Sequence, residues 1–463
     1  MASRTLISTA FKGYKTQQVF GVATRCFSAS ASLKQKSGKN IVLVDGARVP
    51  FCVSGTEYKN LMPHDLQREA LLGILKKTGV SQDDIDYVCI GTVIQEARTT
   101  NIAREAMLSA GFSDRIPAHT VTMACISSNQ AIATMIGFMQ AGMIDTAIAG
   151  GVDFMSDVPI KFNRSMRGKM MQMPKAKTMG AKLGLLASLR PKHLVPELPA
   201  IAEFSTNETM GHSADRLCTA FKVSRQEQDE FGIRSHTFAK KAQDAGLLDD
   251  VLPYKVPGVA NPVTLDNGVR VSTMEQMAKL KPAFIKPHGT ITAANASFLT
   301  DGASAVLLMT EEKALKLGFK PKAYLREFTF VAIDPKDQLL LGPTYAVPDV
   351  LNKAGLKLSD VDVFEIHEAF AGQILANLKA MDSDWFGKNV MGRKEKVGQI
   401  PMEKLNLWGG SLSIGHPFGA TGCRLVTTAA NRLIKEDKNV ALVAACAAGG
   451  HGHGMIIERY PSK

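Results

Sequence analysis

Four segments of the 463-residue chain carry side chains able to do chemistry. Cys125 follows Val121-Thr122-Met123-Ala124 and precedes Ile126-Ser127-Ser128-Asn129-Gln130-Ala131. That pattern reads as a strand or loop turning into a helix of small residues. A cysteine at a helix start has its thiolate stabilised by the positive end of the dipole. Taken alone, one cysteine among apolar neighbours reads as a buried, inert thiol. His416 changes the balance. It stands inside Gly409-Gly410-Ser411-Leu412-Ser413-Ile414-Gly415-His416-Pro417-Phe418-Gly419-Ala420-Thr421-Gly422. Glycine lets backbone approach a ligand closely, and Pro417 restricts the conformation of His416. A histidine held this way suits activating a thiol or donating to an oxyanion. Cys446 ends an apolar run and enters Ala447-Ala448-Gly449-Gly450-His451-Gly452-His453-Gly454, where backbone N–H groups can face a substrate. The strand residues Met455-Ile456-Ile457 follow, so this is not a dinucleotide fingerprint, which needs a helix there. His451 and His453 have no third ligand cluster beside them, and no metal is expected. His367 opens the fourth segment, His367-Glu368-Ala369-Phe370.

The elements that must position these residues show an internal repeat. Lys77-Thr78-Gly79-Val80-Ser81-Gln82-Asp83-Asp84-Ile85-Asp86-Tyr87-Val88-Cys89-Ile90 is echoed by Lys353-Ala354-Gly355-Leu356-Lys357-Leu358-Ser359-Asp360-Val361-Asp362-Val363-Phe364-Glu365-Ile366. Each copy ends a helix at Gly, makes an acidic turn and enters a hydrophobic strand. Ala147–Gly151 and Ala441–Ala445 are short apolar runs, preceded by helix-like stretches at 130–142 and 420–435. Short buried strands alternating with helices imply parallel sheets with crossover helices. The expected organisation is two related α/β halves, 40–157 with 289–315, and 316–463. Between them, 158–288 reads as an inserted loop domain covering a site, with Ser224 and Glu227 in a capping-box pattern.

Composition narrows the class. With 45% hydrophobic and 21% charged residues the chain is an ordinary globular protein. No uncharged apolar run reaches the ~18–20 residues that span a bilayer. Seven cysteines without any CxxC suit a reducing compartment and neither a disulfide framework nor a structural zinc site. Two stretches account for more than the whole net charge of +12. Residues 1–39 hold seven cations and no acid, and are rich in Ser, Thr and Ala, the composition of a mitochondrial transit peptide. Residues 158–196 hold nine cations and no acid, mixed with Met and Leu. Such a mixture suits an anionic membrane surface such as cardiolipin, or a solvated insertion packed on a partner subunit. The cations also permit RNA binding, but Phe162 is the only aromatic residue available for stacking there.

Taken in order, Cys125, the His367-Glu368-Ala369-Phe370 segment, Gly415-His416-Pro417-Phe418-Gly419 and Cys446-Ala447-Ala448-Gly449-Gly450 resemble the motifs of thiolases. Asn295-Ala296-Ser297, Asp301-Gly302-Ala303 and Met210-Gly211-His212-Ser213-Ala214-Asp215 are similar to thiolase segments too. The resemblance runs from Ile41 to Arg459, interrupted chiefly by the basic stretch. It implies a five-layer αβαβα fold from two similar halves, with two central helices meeting at their N-termini. It implies an acyltransferase that cleaves long-chain 3-oxoacyl-CoA with CoA in mitochondrial β-oxidation. Cys125 is then the nucleophile, His416 its activator, Cys446 the proton donor and acceptor, and His367 the oxyanion or water holder. Ser297, Phe370 and the Ala448 N–H are implied in binding substrate, CoA itself being a substrate, with no metal or redox cofactor. A homodimer is implied, with a hetero-oligomeric partner subunit bearing hydratase and dehydrogenase activities, at the matrix side of the inner membrane. Many thiolases carry Asn at the position of His367, and either side chain can hold a water or donate to an oxyanion. A ketoacyl synthase would also use one cysteine and two histidines, but has no need of Cys446.

Overall fold

The echoed segments build the same corner twice. In the computed structural model, which describes residues 38–200 and 202–461, helix Pro63–Thr78 ends at Gly79 with φ 71° and helix Gly342–Ala354 ends at Gly355 with φ 69°. That left-handed conformation costs glycine nothing. A 3₁₀ turn follows in each copy, Gln82–Asp84 and Leu358–Asp360, and then a buried strand. The leader expected at 1–39 lies outside the described residues except for its last two positions.

Twelve strands occur among the described residues: β1 (Ile41–Arg48), β2 (Cys52–Val53), β3 (Tyr87–Gly91), β4 (Ala118–Val121), β5 (Thr146–Asp153), β6 (Lys161–Phe162), β7 (Pro196–Glu197), β8 (Thr300–Thr310), β9 (Ala323–Ala332), β10 (Val363–Ile366), β11 (Val440–Ala447) and β12 (His451–Arg459). One half-sheet runs β4-β3-β5-β8-β1 and the other β10-β11-β12-β9. They are joined where Val42 and Leu43 of β1 pair with Tyr324 and Ala323 of β9. Within the first, β3 is parallel to β4 and β5, while β8 is antiparallel to β5 and β1. The second repeats this order: β10 is parallel to β11, and β12 is antiparallel to β11 and β9. A single parallel bridge, Phe364 to Leu405, stands where β4 stands in the first. The sheets are therefore mixed and not parallel as the strand–helix alternation implied. Only Ala448, Gly449 and Gly450 join β11 to β12, too few for the crossover a parallel pair needs.

Layering follows from which faces are apolar. Helices Pro63–Thr78 and Ile102–Ser109 cover the outer face of the first half-sheet, through Leu66, Leu71, Ile74 and Met107. Helices Gly342–Ala354 and Ala371–Met381 cover the outer face of the second, through Val347, Val350 and Ile374. Helices Ser127–Gln140 and Thr421–Lys435 lie between the sheets, sharing one core with Ala147, Ala149, Val443 and Ala445. The result is five layers, αβαβα. The central pair touches so closely that a Cβ on Gly422 would stand 2.2 Å from Asn129 Oδ1 and 2.7 Å from its backbone N. Only glycine fits there.

The section between the halves carries helices Met210–Ala220 and Arg225–Asp244. The expected capping box is formed: the Glu227 N–H donates to Ser224 Oγ at 3.1 Å and the Ser224 N–H to Glu227 Oε2 at 2.6 Å. This section is tied to the first half by Arg48. Its guanidinium is buried and donates to Asp250 at 2.8 Å and, two-pronged, to Asp266 at 2.6 and 2.9 Å. Arg48→Ala leaves two buried carboxylates unpaired, and a loss of about 3–5 kcal/mol is expected. The check is a lower urea midpoint at unchanged slope.

Residues 158–197 form a small closed unit. The two-residue ribbon β6–β7 pairs Lys161 with Glu197 and Phe162 with Pro196, and closes its base. Helices Arg164–Gln172 and Met179–Ala187 project beyond it, with Met171 68%, Met179 70% and Leu183 57% exposed. Large apolar side chains thus stand exposed beside nine cations.

Candidate active site

Cys125 sits at a strained turn between β4 and the first central helix. Ala124 has φ 47°, a conformation costly for a residue with a Cβ. Ser127 braces the turn: its Oγ accepts from Met123 N–H at 2.8 Å and donates to Ala124 O at 2.6 Å. Cys125 is thereby held partly exposed, one residue before the helix N-cap Ile126. The strain and its brace have no signature in the sequence.

His416 follows the short helix Ser411–Ile414, which Gly415 ends at φ 110°. Its N–H donates to Thr300 Oγ1 at 3.0 Å, fixing the loop to β8. Its ring is oriented by Thr421 in the second central helix. The Thr421 hydroxyl donates to Pro417 O at 3.0 Å, so it accepts from His416 Nδ1 at 2.6 Å. The network thus places the His416 proton on Nδ1. Nε2 keeps its lone pair, and it is buried without a partner. His367 follows β10, its N–H on Ala444 O at 2.8 Å and its Nδ1 3.0 Å from Ser411 Oγ. The two imidazoles lie with centroids 4.1 Å apart, and His367 Nε2 is also buried without a partner.

These side chains converge. The Cys125 sulfur and one ring nitrogen from each of His367 and His416 lie within 4.8 Å of one another. Cys446, buried near the end of β11, is close enough that the charge of Cys125 raises its pKa, after burial as the larger cause. The Ala448 N–H reaches the Cys125 sulfur. One sulfur and two imidazoles from distant parts of the chain therefore meet, with Cys446 near enough to feel a charge on Cys125.

Burial dominates the electrostatics. It holds His416 down to about 3, with Arg424 contributing, and holds His367 well below the usual imidazole range, with His416 and Arg424 contributing. Both rings are neutral at working pH. Burial pushes the Cys125 thiol up to about 12, against backbone hydrogen bonds from Ala448 and from its own N–H. The helix dipole was expected to stabilise a resting thiolate. Desolvation outweighs it, as the largest influence on that thiol. The resting nucleophile is a thiol beside a bare imidazole nitrogen, so deprotonation must accompany attack.

The remaining expected residues lie in the segments around His367 and Cys446. Ser297 is half-buried, and its N–H donates to Ala369 O at 3.0 Å. Phe370 is buried, packs edge-on against Phe284 at 6.0 Å and shares an apolar cluster with Cys446. Glu368 is an anchor for the loop before His416: it accepts from Ser235 Oγ and Asn406 Nδ2, each at 2.7 Å. Glu203, which no motif singled out, accepts from Gly449 N–H at 3.0 Å and raises the Cys125 pKa. His453 is turned away, its Nδ1 on Thr329 O at 3.0 Å. One thiol and two imidazoles are a donor set that zinc accepts, and among the described residues these three form the one close group of donors. The same set is that of a nucleophile with its base.

Five layers built from two matching halves, with a thiol and a bare imidazole where the central helices begin, define an enzyme of covalent acyl transfer. Residues 41–312 match the family model of the thiolase N-terminal domain and residues 319–459 that of the thiolase C-terminal domain, so the chain belongs to the thiolase family. It is 66% identical to the mitochondrial trifunctional enzyme subunit beta of Mus musculus over 93% of this chain and 90% of that one. It is 60% identical to a probable 3-ketoacyl-CoA thiolase of Caenorhabditis elegans, over 93% of this chain and 97% of the relative. Among solved structures, human mitochondrial 3-ketoacyl-CoA thiolase superposes with a TM-score of 0.78 at 28% identity, covering 91% of this chain and 99% of that one.

Proposed function

We propose that the chain cleaves 3-oxoacyl-CoA with CoA to acetyl-CoA and an acyl-CoA shortened by two carbons, within mitochondrial β-oxidation. The observation that carries this reading is the meeting of Cys125 with His367 and His416, with Cys446 near enough to feel a charge on Cys125. His416 Nε2 takes the Cys125 proton as sulfur attacks C3. The C2–C3 bond breaks, leaving the acyl group as a thioester on Cys125 and acetyl-CoA as its enolate. His367 meets the enolate oxygen, directly or through a water, and Cys446 protonates C2. Incoming CoA then gives its thiol proton to Cys446 and attacks the thioester; the departing Cys125 sulfur recovers its proton from His416. The N–H groups of Cys125 and Ala448 form the second oxyanion site, and such a donor is worth ~10²–10³ in rate. Ser297 and Phe370 stand along the CoA arm. No metal or redox cofactor enters these steps. Thiolysis of 3-oxoacyl-CoAs of several lengths, with and without CoA, is the test. Release of CO₂ from a malonyl thioester would point to a ketoacyl synthase instead.

The relatives named as beta subunits of a trifunctional enzyme support a partner subunit, which on this reading bears hydratase and dehydrogenase activities. Residues 1–39 then act as the leader, and the mature enzyme works at the matrix side of the inner membrane. A homodimer fits β4, which ends the strand order of the large sheet and is an edge strand. The exposed Met and Leu of the 158–196 unit, with its cations, suit an anionic bilayer surface or the partner subunit. The membrane reading predicts that deleting 158–196 abolishes flotation with cardiolipin vesicles while thiolysis persists. Retained flotation together with unchanged subunit association would leave this unit without either role.

A further inference from the structure

Ser411 and Arg424 lie one step behind His367. Ser411 is buried at the start of the short helix Ser411–Ile414, and Arg424 is buried one turn into the second central helix. Arg424 Nη2 donates to Ser411 Oγ at 3.0 Å, and Ser411 Oγ lies 3.0 Å from His367 Nδ1. A hydroxyl has one proton to give. Ser411 receives from Arg424, and among the described residues His367 Nδ1 is the one acceptor within its reach. Were Nδ1 to donate, the serine proton would be buried without an acceptor, at the cost of an unmade hydrogen bond. The adjacent guanidinium also polarises the hydroxyl toward giving its proton. His367 therefore accepts at Nδ1 and carries its proton on Nε2, pointing into the cavity. His416, held by Thr421, has the opposite arrangement.

We propose that Ser411, itself held by Arg424, is a positioning residue that locks His367 as a hydrogen-bond donor toward the substrate, so that the neighbouring imidazoles divide their work: His416 a base, His367 an oxyanion donor. Neither ring has to change protonation or turn over before the reaction starts. The arrangement also explains how two imidazoles can sit 4.1 Å apart in a buried site: a bare nitrogen and an N–H face the same cavity without like groups opposing. The proposal rests on the thiolase reading of the site and adds to it the fixed tautomer and its cause.

The test uses the full-length enzyme labelled with ¹⁵N-histidine, as wild type and as the Ser411→Ala, Ser411→Thr and His367→Ala variants. In the wild type, the ¹⁵N shifts of His367, assigned by their loss in His367→Ala, are expected to show a protonated Nε2 and a bare Nδ1. In Ser411→Ala that pattern is lost and α-proton exchange of acetyl-CoA, which needs the enolate donor, falls about 10- to 100-fold, the scale known for partners that orient metal-bound imidazoles. Alkylation of Cys125 by iodoacetamide stays unchanged. Ser411→Thr keeps the hydroxyl and restores both the tautomer and the exchange. An unaltered His367 tautomer in Ser411→Ala, or exchange and alkylation falling together, overturns the positioning role. Full exchange in His367→Ala would remove the enolate role itself, a separate failure that strikes the thiolase assignment of His367.

Discussion

Replacing Cys125 by alanine is expected to lower CoA-dependent cleavage of 3-oxoacyl-CoA by about 10⁴- to 10⁶-fold, the range seen when a nucleophile acting in a unit with its base is removed. The reason is geometric. Cys125 is the sulfur grouped with both ring nitrogens, one of them the lone pair of His416 Nε2. Cys446 cannot stand in for it, because its thiol is buried and does not belong to the group of donors that Cys125 forms with His367 and His416. The side chain is small and partly exposed, so alanine leaves the fold intact and the loss reports chemistry. Steady-state thiolysis beside an unchanged circular dichroism spectrum measures it. A variant retaining a tenth or more of the rate would place the acyl group elsewhere.

Cys446→Ala is expected to separate the two half-reactions. Exchange of the acetyl-CoA α-protons with solvent deuterium falls about 10²- to 10⁴-fold, the usual worth of a positioned acid–base group. Alkylation of Cys125 continues at the wild-type rate, because its base, its turn and the Ala448 N–H are untouched. Proton exchange surviving at the wild-type level would assign C2 protonation to another group, with His416 the nearest alternative.

Much of this was legible because local rules set it. The Gly79 and Gly355 helix ends, the acidic turns and the strands after them follow from residue type, and they revealed the doubled architecture. His416 and Cys446 announced themselves by their glycine-rich surroundings, whereas Cys125 and His367 stood out through the ordered motifs of the thiolase resemblance. Strand direction was not legible in the same way: alternation of strands with helices suggested parallel sheets, whereas the Ala448–Gly450 connection forces an antiparallel pair. Protonation was misjudged for a related reason. A helix start predicts a stabilised thiolate at Cys125, but how dry the sulfur is depends on residues hundreds of positions away. The supports behind the site, Ser127 under Ala124 and Thr421 and Ser411 behind the imidazoles, belong to common residue types at unremarkable spacings. Only the folded chain brings them to the nitrogen or carbonyl they serve.

The most direct test of the central claim is mass spectrometry of the enzyme incubated with a 3-oxoacyl-CoA in the absence of CoA, quenched in acid and digested. The account predicts one acyl group, two carbons shorter than that of the substrate, in thioester linkage at Cys125 and released when CoA is added. An adduct on any other residue, or turnover with no acylated cysteine at all, would contradict it.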